Sequence, residues 1–464
     1  MAQRRSAQTS SSHRAGAATA YAIVILAGFA AVLFANLPGH LSFDSVIQLY
    51  EGRTGSHISF NPPIMAWILG RFDAIRPGTG LFVVASTSLL AASLIALSKL
   101  RARTSWLAPL AAGLAFALPQ MMLYPAIVWK DVLFANLSIA AFVCVGLAAR
   151  AWDRRGPRII WLLAALPLLA VAGLVRQNGL ICTAAAAAAL TWIAGGKRLW
   201  PGLPWGAGAL VAVLAAAAAI GAAVQPPGSS MAGDTGRGLR VLQRYDIIGA
   251  AAHDPKLRFS ALARADAGAA DRIRLAGVRL YAPDRVDTLA RDRSLRDQFK
   301  RLPTGIAAVE WREVLLRHTR PYLQHRAAVF RWLVAPPEPY RCLPYTTGVE
   351  GPKPMLDSLS LSAGYDRHDT ELAAYARRFV GAPATSHVTY GVIAAVACLL
   401  CLWRRDQTDI AIAAMLSAAL VFAASFFFIS VACDYRYLYF LDLAAIVGVL
   451  YWALDPRISR SRAA

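Results

Sequence analysis

Acidic residues are scarce in this chain. Asp and Glu number 27 against 48 Lys and Arg, and the four charged types together make up only 16% of 464 residues. Hydrophobic residues fill 57%, and mean hydropathy is +0.45. A soluble globular domain carries about a quarter charged residues, so this composition excludes one and points to an all-α polytopic membrane protein. No glycine-rich phosphate loop is present, in keeping with a chemistry that needs no nucleotide. Internal repeats are missing too, and with them the inverted-repeat signature of many transporters. No nucleic-acid recognition module is visible, so the formal charge of +21 is read as orientation charge, not as a nucleic-acid footprint.

Cysteine is also sparse, with six residues. Cys144, Cys182, Cys398 and Cys401 fall inside apolar runs and read as small core residues; the Cys398–Cys401 spacing mimics a redox or metal pair without polar company. Cys342 and Cys433 fall in segments expected outside the cell, where an oxidising compartment allows a bridge. Their separation leaves that pairing open.

What is present is a series of ten apolar runs, at roughly 17–37, 80–98, 105–123, 132–149, 159–175, 179–195, 205–224, 387–403, 409–431 and 436–453. Each is able to cross about 30 Å of hydrocarbon. Alternate connections are basic: Lys99 to Arg103, Arg150 to Arg158, Lys197 and Arg198, Arg404 and Arg405, and a tail with Arg457, Arg460 and Arg462. With Arg4, Arg5 and Arg14 at the amino end, these are cytoplasmic by the positive-inside rule, and both termini with them. The first run lacks a small-residue cleavage site and reads as a retained signal anchor in the cell's cytoplasmic membrane. The polar break at Arg176-Gln177-Asn178 predicts two helices instead of one 37-residue rod.

Two pieces are then extracytoplasmic. Residues 38–79 form a first outer loop within a membrane domain over 1–224. Its Ile58 to Trp67 stretch, too short to span, predicts a proline-initiated interfacial helix. Residues 225–386 form a polar outer domain, reached through the linker Pro226-Pro227-Gly228-Ser229-Ser230, and 387–464 return to the membrane. Helical apolar spacing recurs at about 256–298 and 308–333, while 336–369 is turn-rich. Trp311, Tyr322, His325 and Arg326 lie at helical spacing there, where interfacial packing is favoured over substrate contact.

This topology leaves three cations at outer helix ends, where short loops are not enriched in them: Lys130, Arg176 and Arg436. An anionic ligand would give them a reason. A departing phosphate needs fixed cations, arginine for forked contacts and lysine as a point charge. Asp44 is placed to take a proton from an attacking nucleophile. Each residue also has a structural alternative: Asp44 as a helix cap, Lys130 in a self-contained bridge to Asp131, Arg176 holding Asn178, and Arg436 paired with Asp434 or snorkelling.

The pattern Phe43-Asp44-Ser45, Gln48, Gly52, Asn61-Pro62-Pro63 resembles the first outer loop of GT-C integral-membrane glycosyltransferases, which use polyprenyl-phosphate-linked sugars. Trp129-Lys130-Asp131, Arg176-Gln177-Asn178-Gly179 and Asp434-Tyr435-Arg436-Tyr437 look like segments of uncharacterised bacterial members. The resemblance covers the membrane half well and 225–386 poorly. It implies Asp44 as catalytic base between two short interfacial helices. Lys130, Arg176 and Arg436 are expected on the donor phosphate, with Asp131, Asn178, Asp434, Tyr435, His57, Asn61 and Gln48 in support. The implied partners are a polyprenyl-phosphate-linked sugar, membrane lipids, and a glycan, lipid or protein acceptor. Many relatives carry two adjacent acids linked to a divalent metal. Here Ser45 follows Asp44, a poor cage for such an ion unless Asp131 or Asp434 completes it; no metal ligand and no cofactor are assigned, and a divalent metal stands as the doubtful alternative. The competing classes are a transporter or flippase for an anionic lipid or solute, and another outer-face transferase such as an O-antigen ligase or an acyltransferase. No convincing His-Asp pair supports the last.

Overall fold

The computed structural model describes residues 2–59, 61–196, 198–226 and 231–457. Phe60, Lys197, the linker residues Pro227 to Ser230, Arg460, Arg462, and the side chains of Arg4, Arg5 and Arg14 lie outside what it describes. The chain is an all-α polytopic fold, 78% helical, and among the described residues its extended pairings are isolated bridges. It divides into two compact units: residues up to 227, 345–423 and from 436 onward in the first, and 228–344 with 424–435 in the second.

The first unit opens with α1 (Ala2–Asn36), α2 (Phe43–Thr54), α3 (Pro63–Ile75), α4 (Gly80–Leu97), α5 (Leu107–Phe116) and α6 (Pro119–Met122). It continues with α7 (Lys130–Arg150), α8 (Arg155–Val175), α9 (Leu180–Ala194) and α10 (Leu199–Val224). Proline at N1 starts α3, as the sequence predicts. The helices α2 and α3 cross where Gly52 and Gly70 bring their backbones together, each leaving no room for a Cβ on the other. A forked ion pair locks the crossing, with Arg53 Nε and Nη2 donating to the Asp73 oxygens at 2.7 and 2.6 Å.

Nine helices among the described residues are long and apolar enough to cross a membrane. The run expected as one span at 105–123 is instead a broken pair, Leu107–Phe116 and Pro119–Ala126, bent by 82°. The cause is Pro119. It forces Leu118 into extended backbone (φ −97, ψ 143) and interrupts the helical hydrogen bonds. The pair still joins both ends of the bundle: Ser105 N–H donates to Leu454 O at 2.8 Å, and Val128 N–H to His40 O at 3.0 Å. The break at Arg176 is also observed, with that residue extended between α8 and α9. Helix α7 is buried along nearly its whole length, Phe134 packing on Phe422 and Phe440 at 4.8 and 5.1 Å.

The second unit contains α11 (Met231–His253), α12 (Ser260–Ala265), α13 (Ala267–Leu280), α14 (Asp287–Arg291), α15 (Arg293–Arg301), α16 (Ile306–Arg317) and α17 (Thr319–Val334). Trp311, Tyr322, His325 and Arg326 form its polar core and not an interfacial face. Buried Asp246 accepts from Trp311 Nε1 at 2.7 Å, from His325 Nε2 at 3.2 Å and from Arg326, and Tyr281 Oη donates to His325 Nδ1 at 2.8 Å. Burial pushes the His325 imidazole down to about 4, outweighing the Asp246 hydrogen bond. Cys342 and Cys433 form a disulfide, and Cys433 N–H donates to Asp284 O at 2.8 Å.

The chain then gives α18 (Lys353–Leu359), α19 (Arg367–Arg377), α20 (His387–Arg404), α21 (Gln407–Ile429) and α22 (Tyr439–Leu454). Where the sequence joins 345–386 to the polar insertion, the compact units divide at 344. The turn-rich backbone there finds partners in the first unit: Leu41 N–H donates to Gly348 O at 2.9 Å and Glu350 N–H to Leu41 O at 2.8 Å. At the opposite end of the bundle the basic residues meet acids of their own. Arg101 and Arg404 pair with Asp409 at 3.1 and 2.6 Å, and Arg101 also reaches Asp455.

Candidate active site

The amino end of α2 carries the first acidic group of the site. Ser42 is the N-cap, its N–H donating to Ser45 Oγ at 3.2 Å and its Oγ accepting from Trp129 Nε1 at 2.9 Å. The cap is therefore Ser42 and not Asp44. The Asp44 carboxylate accepts instead from Arg436 Nη2 at 2.6 Å. Burial pushes its pKa up, but the charges of Arg436, Lys130 and Arg176 outweigh it and hold the group below the usual carboxylate range. Asp44 is ionised at neutral pH.

Lys130 begins α7, and its Nζ donates to Asn61 Oδ1 at 2.5 Å. Asn61 is buried just before Pro62 and Pro63, so the start of α3 fixes its amide. The loop before it is held by buried Glu51, which accepts the N–H groups of Ile58 and Ser59 at 2.8 and 2.6 Å. His57 Nδ1 lies 3.8 Å from Glu51 Oε1, a role in shaping that loop. Gln48 is buried one turn beyond Asp44 on α2, and its Nε2 has no hydrogen-bond partner among the described residues.

Asp131 pairs with Arg176, the extended residue between α8 and α9. The Arg176 guanidinium also lies 5.0 Å from the Tyr437 ring centre. Arg436 stands over Trp129 at 5.4 Å and Tyr437 at 5.7 Å. Trp129 and Tyr437 thus join the charged residues here; their signal in the sequence is an aromatic directly beside Lys130 and beside Arg436. Asn178 is half-buried in the turn after Arg176. Asp434 and Tyr435 belong to the second unit, where Asp434 lies 3.6 Å from Arg285.

Four helix starts and breaks thus bring Asp44, Lys130, Asp131, Arg176 and Arg436 together, leaving one positive charge in excess. Such an arrangement suits a partly buried anion. Ser45 is engaged in the α2 cap, the surroundings of Asp44 are cations, and no group of three or more His, Cys, Asp or Glu able to hold a metal occurs among the described residues.

No protein-family model matches the chain, and no curated protein matches it significantly. Among solved structures it is similar to the archaeal oligosaccharyltransferase AglB from Archaeoglobus fulgidus, determined in complex with an inhibitory peptide and a dolichol-phosphate. Identity is 12% and the TM-score 0.40 over 93% of this chain, which spans 50% of that protein's length.

Proposed function

We propose that the chain is a membrane glycosyltransferase that moves a sugar from a polyprenyl-phosphate carrier to an acceptor at the extracytoplasmic face. The observation that carries this reading is the ionised Asp44 carboxylate bonded to Arg436 within the field of Lys130 and Arg176.

In this reading the acceptor nucleophile attacks the anomeric carbon as the bond to the carrier phosphate breaks, inverting the configuration. The electron pair leaves with the phosphate, and its developing charge falls on Lys130, Arg176 and Arg436. The acceptor's proton goes to Asp44 or is oriented by it. A guanidinium has five donors in a fork, so Arg436 is suited to bridge the Asp44 carboxylate and the phosphate, coupling donor arrival to the placement of the base. Trp129 and Tyr437 wall the cations with low-dielectric surface that strengthens their field. Gln48 and Asn61 supply neutral hydrogen bonds. The acceptor is a glycan, a lipid or a protein.

The test is release of free polyprenyl phosphate. Purified protein is incubated with a panel of polyprenyl-phosphate sugars, with and without candidate acceptors. Acceptor-dependent release from one donor supports the proposal; no release from any, by protein that is folded and binds the donors, counts against it.

A further inference from the structure

A cavity that the proposed reaction does not use lies between α8, α9 and α10. Its volume is about 380 Å³. Small side chains create it: Ala165 on α8, Ala186 and Ala187 on α9, and Gly208, Ala209 and Ala212 on α10. It runs along the middle of these helices, from Ile159 and Trp205 near the starts of α8 and α10 to Leu169 and Thr183. An apolar void facing hydrocarbon is not a home for water.

A cation stands beside two of the residues that line this cavity. Ile159 and Trp205 line the cavity, and Arg158 lies beside them. Its guanidinium is 4.9 Å from the ring centres of both Trp205 and Trp152, and Nη1 donates to Trp152 O at 2.9 Å. Its Nε has no hydrogen-bond partner, and no carboxylate among the described residues pairs with it. This differs from Arg101 and Arg404 at the same end of the bundle, which have Asp409. Arg154, Arg155 and Arg198 stand exposed on the flanking helix starts, and the acid of that turn, Asp153, is exposed too. A cation with no carboxylate partner, next to an apolar slot, fits a ligand with a negative head and a hydrocarbon tail.

We propose that this cavity binds an anionic phospholipid, an acyl chain between α8, α9 and α10 and the phosphate on Arg158. Basic pockets between membrane helices recognise acidic head groups through such a combination. The site is separate from the proposed transfer chemistry and does not rest on it.

Native mass spectrometry of the full chain tests it. The protein in detergent is titrated with phosphatidylglycerol and with phosphatidylcholine of the same acyl chains. The first retained lipid should be phosphatidylglycerol, bound about fivefold tighter, the worth of one cation near the surface. Arg158→Gln, with an unchanged melting temperature, should bring the two lipids level. Ala212→Leu, which fills the slot, should weaken both; if that variant does not fold, the Arg158 comparison decides alone. Equal retention by the wild type, or a preference surviving Arg158→Gln, would overturn the proposal. So would displacement of phosphatidylglycerol by polyprenyl phosphate in an Arg158-dependent manner, which would assign the slot to a prenyl chain.

Discussion

Each charged residue of the site has a partner other than the one nearest in sequence. Lys130 turns from Asp131 to Asn61, Asp131 takes Arg176, and Arg436 takes Asp44. Because Ser42 is the cap of α2, Asp44→Ala should escape the loss of about 1 kcal/mol expected of a cap, and Ser42→Ala should show it in thermal unfolding. Asp44→Asn should nevertheless abolish most transfer with donor binding kept, because an amide cannot take a proton at neutral pH; wild-type turnover in that variant would remove Asp44 from the chemistry. Lys130→Gln and Arg436→Met should each lower transfer by roughly 100- to 1000-fold, and Arg436→Lys should stay impaired. Arg176→Met is different, since it strands the buried Asp131 carboxylate and should cost stability as well. Adding Asp131→Asn should restore the fold but not the activity. The three cations stand out in the sequence because charge is not expected at helix ends assigned to the outer face. Their partners do not, because pairing depends on which helix starts converge.

At the scale of elements, apolar length revealed the spans and proline revealed their interruptions only in part. A proline start is legible before α3, although that helix runs Pro63–Ile75 and not over 58–67, whereas Pro119 lies inside a continuous apolar run whose hydropathy conceals the 82° bend. The α2–α3 crossing was equally hidden, since two glycines 18 positions apart carry no pattern until their backbones meet. Gly52→Ala or Gly70→Ala should overpack that crossing and destabilise the protein by about 1–3 kcal/mol in denaturant or thermal unfolding. Unchanged stability would mean the two helices are not held as described. His325 was noticed for its spacing with Trp311 and Tyr322, yet helical spacing alone does not distinguish an interfacial face from a buried one. Asp246, which makes it a core, lies 79 residues away.

For the whole molecule, we propose that both termini are cytoplasmic and the polar insertion extracytoplasmic, as the alternating basic connections predict. A phosphatase active only in the periplasm should work when fused after residue 230 and fail at the carboxyl end; the reverse pattern would invert the topology. The second unit should also be acid-sensitive. His325 is held neutral, with a folded-state pKa near 4 against 6.5 for the free side chain, so the unfolded chain binds more protons between those values. Stability should be full above about pH 6.5 and fall as pH drops toward 4, and His325→Gln should flatten that dependence in melting curves taken across the range.

The account rests most heavily on the claim that Lys130, Arg176 and Arg436 hold a lipid-borne phosphate. Binding of polyprenyl phosphate and of the uncharged polyprenol to purified protein, compared side by side, tests this without knowledge of the sugar or acceptor. The phosphate should bind at least tenfold tighter, about 1.4 kcal/mol, and Arg436→Met should erase most of the difference while leaving polyprenol binding unchanged. Equal binding of the two lipids, or a phosphate preference untouched when each of the three cations is replaced in turn, would contradict the account.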